Sequence, residues 1–376
     1  MIYFDNAATG GFKPRAVTDS ATTVMRYLCA NPGRSGHRLS VVGSKTVENT
    51  RSLFAEHFSC PEERVIFTKN CTESLNLAFF GSLKAGGHVI TTVFEHNSVL
   101  RPLNSLKERG LITLDIVCPE KDKDIVLAIK EKICPSTYMI VSTAVSNVTG
   151  ESLPIKQIGA LAKENSLLFV VDGAQGGGHV HMDMKDCSIS MLALAGHKGL
   201  FGIMGSGVLL IEDGLELHPL IMGGTGSETF NLNQPSIYPE RLEAGTLNLP
   251  SIAALGEGLK FVQAGGDSFL RHLKSMTEYM ISELEKLDRI TVFSSPNQSG
   301  IVSFSVANFP STDVADILNS DYDIAVRGGF HCAPLMHKYL GTDEFGLIRA
   351  SLAVQNSSRE ISYFIKAVSE ITRRGG

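Results

Sequence analysis

No apolar run in this chain approaches the roughly 18–20 residues that a membrane-spanning helix needs. The opening stretch, MIYFDNAATGG, has no basic segment leading into an apolar one, so neither a membrane span nor a secretory leader is expected. Basic residues never gather into a run, and 34 Lys and Arg against 39 Asp and Glu leave a net charge of −5, so nucleic acid has no electrostatic footing. The seven cysteines, at 29, 60, 71, 118, 134, 187 and 332, are odd in number, scattered and never spaced Cys-x-x-Cys. That pattern argues against a disulfide framework or a zinc ribbon, assigns no metal, and suits a reducing cytoplasm. A G-x-x-x-x-G-K-[ST] loop and a strand-following G-x-G-x-x-G are both missing, which removes the usual nucleotide cradles. Internal repeats, low-complexity tracts and flexible linkers are absent as well.

What remains is 376 residues, 43% of them hydrophobic, enough for a large buried core. Apolar runs at 88–94, 137–145, 167–172 and 190–196 lack in/out alternation and read as strands buried on both faces. Between them, 97–110 and 155–166 carry apolar residues at helical spacing. Alternating strand and helix predicts an α/β fold, a mostly parallel sheet between helices. From about Ile252 the pattern changes: two helical stretches (252–266 and 269–287), then strands at 300–306, 322–329 and 346–353 around a helix at 312–320. A last helix opens with the capping-box pair Ser357 and Glu360. We therefore expect a large domain over 13–250 and a smaller α+β domain over 251–376, with residues 1–12 packing on either.

Ligands of open parallel sheets bind beyond the carboxyl ends of the strands. The residues that follow the predicted strands are His96, Asn147, Asp172 with Gln175, and His197 with Lys198. Each also has a plain structural reading: Asp172 and Asn147 suit turns, and His96 a hydrogen-bonded core. A short strand at 65–68 leads into a helix starting near Thr72, whose free N–H groups and positive dipole end form a phosphate cradle, or merely a capped terminus. Lys198 stands alone at the end of the apolar run MLALAGHK, before a glycine-rich turn. Desolvation there favours the neutral amine, which a Schiff base requires. Cradle, ring platform, buried acid and isolated lysine together describe a site for pyridoxal 5′-phosphate, with the acid facing the pyridine nitrogen.

The segments YFDNAATG (3–10), FTKNCTESLN (67–76), EHNS (95–98), SNVTG (146–150), VDGAQ (171–175), GHKGLFG (196–202), EAGTLN (243–248), RGGFHCAP (327–334) and IRASLAVQN (348–356) resemble the class V aminotransferase family of fold type I pyridoxal-phosphate enzymes. Within it they look most like group II, SUF-associated cysteine desulfurases and selenocysteine lyases. The resemblance spans nearly the whole chain in order.

It implies roles position by position. Lys198 would carry the cofactor, Asp172 hold its ring nitrogen, His96 stack on the ring and Gln175 bond its phenolic oxygen. Thr72 and His197 would bind phosphate, joined by Thr246 from a partner subunit; Cys71 falls in the same pocket. Asn147 and Arg349 would take the substrate carboxylate, with Arg327, His37 and Asn6 also on the substrate side. Cys332 matches the persulfide-forming cysteine. The residues themselves agree in two places: Arg349, in an apolar strand, needs an anionic partner, either substrate or an internal acid, and Cys332 sits in a glycine-preceded loop beside His331.

The implied activity is removal of sulfur from L-cysteine, or selenium from L-selenocysteine, by a cytoplasmic homodimer with a shared cofactor site. The sulfur would pass to an acceptor protein, as in iron–sulfur cluster assembly. An aminotransferase or epimerase acting without Cys332, or a non-catalytic scaffold that keeps the cofactor, are the rival readings. Ala195, Asn97, Gly328 and Phe330 depart from the family pattern.

Overall fold

The computed structural model describes residues 1–28, 30–33, 35–119 and 124–374; Cys29 lies outside them. Strand β1 (Ile2–Tyr3) is followed by helices α1 (Arg15–Tyr27) and α2 (Arg38–Phe58). The large unit is then built from β2 (Val65–Thr68), α3 (Cys71–Gly81), β3 (Gly87–Thr92), α4 (Asn97–Glu108), β4 (Ile112–Val117), α5 (Ile125–Lys130), β5 (Thr137–Thr143), α6 (Ile155–Glu164), β6 (Leu168–Asp172), β7 (Met191–Ala195) and β8 (Gly207–Ile211). Its seven-stranded sheet runs β2-β8-β7-β6-β5-β3-β4. Only β8 is reversed, antiparallel to both β7 and β2. Strands β3, β5 and β7 are buried at every position, as the uninterrupted apolar runs require, because helices cover both faces.

The reversal of β8 depends on a glycine. A Cβ on Gly207 would sit 2.5 Å from the carbonyl carbon of Asn70, so only glycine lets β8 start beneath the N-terminus of α3. Above it, Asn70 caps that helix, its Oδ1 accepting from Glu73 N at 2.9 Å, while Glu73 accepts from Lys69 N at 2.6 Å.

After the sheet comes α7 (Leu249–Leu284), which breaks at Gly266 (φ 45°, ψ −139°, outside helical geometry) into two helical halves, as the two stretches in the sequence lead one to expect. Its first half packs Leu249, Ile252, Leu255 and Leu259 into the large core. Its second half packs Leu273, Met280 and Leu284 into a separate small core with Phe4, Phe304 and Phe364. The small unit holds β9 (Ile290–Val292), β10 (Ile301–Val306), α8 (Ser311–Tyr322), β11 (Ile324–Ala325), α9 (Pro334–Leu340), β12 (Ile348–Ser351) and α10 (Ser358–Arg374). Its antiparallel sheet runs β12-β10-β9, and β1 pairs in parallel with β11, tying the N-terminus to this unit. The predicted strand at 322–329 shrinks to Ile324–Ala325 plus a bridge between Arg327 and Arg349. The capping box forms: Ser357 N donates to Glu360 at 2.7 Å and Glu360 N to Ser357 Oγ at 3.3 Å. Among the described residues no helix is long and apolar enough to cross a membrane.

Candidate active site

The carboxyl ends of β3, β5, β6 and β7 and the N-termini of α3 and α4 meet around a cavity of about 100 Å³. It gathers Cys71, Thr72, His96, Asn147, Asp172, Gln175, His197 and Lys198, together with Ser98, Thr143 and Ala195. The strand-end rule thus delivers its residues to one place.

The Lys198 amine makes no hydrogen bond or ion pair among the described residues. Desolvation pushes its amine below the ordinary 10.5; Asp172 opposes that shift and Arg349 reinforces it. Asp172 ends β6, and its Oδ1 accepts from Ala174 N at 2.9 Å and from the Cys71 thiol at 3.4 Å. The turn that a bland reading of Asp172 suggests is therefore real, and it leaves Oδ2 without a hydrogen bond among the described residues.

His96 precedes α4 and caps it: its Nδ1 accepts from Ser98 N at 3.0 Å. Burial brings this imidazole down to about 4, the Asp172 carboxylate opposing, so it is neutral with its proton on Nε2. The Ser98 hydroxyl lies 2.9 Å from His96 Nδ1 and 2.8 Å from Thr72 Oγ1, bridging the two helix starts. Sequence reasoning missed Ser98; its signal was a hydroxyl in the first turn of a helix that opens at a strand end. The N-terminus of α3, where Cys71 N and Thr72 N have no acceptor among the described residues, and the two hydroxyls form a donor set that fits a phosphate; the first N–H groups of α4 are already taken by His96 and Cys332.

His197 is held by Thr9, whose Oγ1 lies 3.0 Å from Nδ1, and burial lowers its imidazole to about 4. Its carbonyl accepts from Gly10 N at 2.9 Å and Lys13 Nζ at 3.0 Å, fixing the peptide that leads to Lys198. Gln175 donates through Nε2 to Ala7 O at 2.8 Å.

The substrate-side residues are more dispersed. Arg349, 1% exposed, pairs with Asp5 at 3.2 Å and donates to Asn147 O at 2.9 Å, leaving Nε without a partner. Burial lowers its guanidinium to about 10, partly offset by Asp5. The internal acid that the sequence allowed is thus present, beside an unsatisfied donor. Asn147 gives its amide to His331 O at 2.7 Å. Asn6 turns away, donating to Ser351 O at 2.8 Å and accepting from Gly11 N at 3.1 Å, and lines an adjoining cavity that also reaches Lys198. His37 is exposed and caps α2, accepting from Ser40 N at 3.3 Å, and is not part of the cavity wall. Thr246 lines a neighbouring groove that shares Asn70 and His197 with the cavity.

Cys332 is exposed, and Arg327 Nη2 donates toward its sulfur at 3.8 Å. His331 (φ 47°) and Cys332 (φ 58°) both occupy the left-handed region, a strained pair for non-glycine residues. Hydrogen bonds hold them there: Cys332 O accepts from Asn97 N at 2.8 Å, and the buried His331 ring bonds Leu347 O at 3.1 Å. The loop is thereby pinned to the start of α4, next to His96.

Known proteins resemble this chain along nearly its whole length. The family model described as aminotransferase class-V matches residues 2–364. A probable cysteine desulfurase of Pyrococcus abyssi is 33% identical, over 99% of this chain and 94% of that protein. A cysteine desulfurase of Escherichia coli is 31% identical, over 99% of this chain and 94% of that protein. The apo structure of a cysteine desulfurase from Thermococcus onnurineus superposes with a TM-score of 0.92 at 32% identity, covering 99% of this chain and 95% of that one. This chain belongs to the class V aminotransferase family.

Proposed function

We propose that the protein is a pyridoxal-phosphate-dependent cysteine desulfurase, converting L-cysteine to L-alanine and keeping the sulfur as a persulfide on Cys332. The observation that carries the reading is the unpaired, desolvated Lys198 amine in one cavity with Asp172 and His96, with a cysteine loop pinned at its edge. The residues fit the cofactor: Asp172 Oδ2 is free for a ring nitrogen, neutral His96 offers a flat face, and Thr72, Ser98 and the start of α3 suit its phosphate. Ala195 lines the cavity without a hydroxyl, so it adds no donor.

When bound, the cofactor supplies an aldehyde carbon and an electron-withdrawing ring. The chain supplies the rest. Lys198 Nζ, uncharged, takes and returns the proton at the substrate Cα. Arg349, through its unpaired Nε, and Asn147 orient the substrate carboxylate. Cys332 Sγ attacks the substrate sulfur; the new S–S bond forms as the Cβ–S bond breaks, its electron pair stays with carbon, and protonation there gives alanine. Arg327 sets a positive charge beside the attacking sulfur.

A homodimer completes the reading. Met222, Phe230 and Leu232, exposed apolar residues, lie on the segment that leads to Thr246, and a second copy covering them would bring its Thr246 toward the phosphate cradle. The six described cysteines are all unpaired, in keeping with a cytoplasmic setting. A thiol-bearing acceptor protein would collect the sulfur.

One assay tests the function. Purified protein is loaded with pyridoxal phosphate and given L-cysteine or L-selenocysteine with a thiol reductant, and alanine and sulfide or selenide are measured. Lys198→Ala should lose the absorbance band of lysine-bound cofactor. Cys332→Ala should keep the band and lose sulfide. A colourless wild type that takes up no cofactor refutes the reading, and full turnover by Cys332→Ala moves it to an aminotransferase or epimerase.

A further inference from the structure

We propose that Cys71 is a positioning residue for the cofactor: its S–H holds Asp172 Oδ1 so that Oδ2 faces the ring nitrogen. The inference rests on the cofactor reading above. Cys71 is the first residue of α3, almost fully buried, and its sulfur lies 3.4 Å from Asp172 Oδ1 across 101 residues of sequence.

The direction of this hydrogen bond follows from chemistry. A thiol against a carboxylate in a desolvated pocket keeps its proton, and burial followed by the Asp172 charge raises the Cys71 thiol well above its usual range. A protonated thiol can donate, and the acceptor it reaches among the described residues is Asp172 Oδ1. Oδ1 also accepts from Ala174 N at 2.9 Å. With two donors on one oxygen, the carboxylate plane is fixed and its remaining lone pairs point into the cavity. A carboxylate held only by Ala174 N could pivot about that single bond.

The thiol does this with little competition for the cofactor. It is a weak donor, so it orients Oδ1 without drawing much charge away from Oδ2. It is also mostly apolar, which keeps water from the ring edge. Cys71 has no part in the sulfur chemistry of Cys332, since it is buried in the cavity wall while Cys332 is exposed.

The test compares wild type with Cys71→Ala, Cys71→Val and Cys71→Ser in the full chain, reading pyridoxal-phosphate affinity and the pH midpoint of the lysine-bound cofactor band. Losing a weak hydrogen bond to a carboxylate should loosen cofactor binding about three- to tenfold in Ala and Val. With one donor gone, the carboxylate can pivot, and Oδ2 holds the proton on the ring nitrogen less firmly. The ring becomes less cationic, so the band midpoint moves to higher pH in both variants. Serine restores the donor and should return both readings toward wild type. If Val matches wild type and Ser does not, Cys71 merely fills space and the inference fails. It fails alone if all three variants match a wild type that binds cofactor. A wild type that takes up no cofactor overturns the reading beneath it as well.

Discussion

Replacing Glu95 with glutamine should make the stability difference from wild type reverse sign with pH. Glu95 is wholly buried just beyond β3. Its Oε1 accepts from Thr92 Oγ1 at 2.7 Å and Thr143 N at 3.0 Å, while Oε2 has no partner. Burial pushes its carboxyl from the ordinary 4.5 up to about 8, against the two hydrogen bonds and with the help of Asp172. Between those values the native state holds a proton that the unfolded chain has lost, so stability is fully present below about 4.5 and falls as pH rises through 8. The interval is about 3.5 pH units, and at about 1.36 kcal/mol for each the total comes to about 5 kcal/mol. Glutamine keeps an oxygen for both donors and cannot ionise. It does place an amide where Oε2 lacked a partner, at a pH-independent cost of about 1–3 kcal/mol. Wild type should therefore be the more stable at pH 5 and Glu95→Gln the more stable at pH 8.5. The crossing should fall near pH 6. Urea unfolding of cofactor-free protein measures this, followed by far-UV circular dichroism because the chain has no tryptophan. Stability curves that run parallel from pH 5 to 9 would refute the reasoning, since they would mean that Glu95 holds no extra proton in the native state.

Two further substitutions test the frame around the cavity. Arg349→Lys keeps a positive charge but loses the fork that reaches Asp5 and Asn147, so KM for cysteine should rise at least tenfold while the cofactor band stays; an unchanged KM would separate Arg349 from substrate binding. Glu243→Gln breaks the buried two-pronged pair with Arg51, whose bonds measure 3.1 and 2.9 Å, three residues before Thr246. Leaving that guanidinium without its counter-charge should cost about 3–5 kcal/mol in the same urea experiment, and a loss below about 1 kcal/mol would show the pair to be poorly formed.

The sequence reveals the elements of this fold well where a single physical cause dominates. Uninterrupted apolar runs mark strands covered on both faces, and β3, β5, β6 and β7 lie within two residues of their expected bounds. The polar residues that follow them do reach one edge, as strand direction demands. Connections made by the backbone are less legible. That Cys332 O would accept from Asn97 N, or His331 O from the Asn147 amide, depends on the path of a loop and not on residue type. Gly266 is more legible: a glycine pair suggests the end of a helix, and the backbone does leave helical geometry there before Leu273 and Met280 pack a second helical half on the small core.

Arg349 shows the limit most sharply. A guanidinium in an apolar strand requires an anion, and sequence alone leaves substrate and protein acid as equals. The structure supplies Asp5, 344 residues away, but Asp5 engages only Nη2; Nη1 goes to a carbonyl and Nε to nothing. A purely structural ion pair would be expected to satisfy a buried guanidinium completely, because each orphaned donor is costly. The leftover N–H is the physical ground for the proposal that Arg349 takes the substrate carboxylate, with Asp5 holding the fork in place until the substrate arrives.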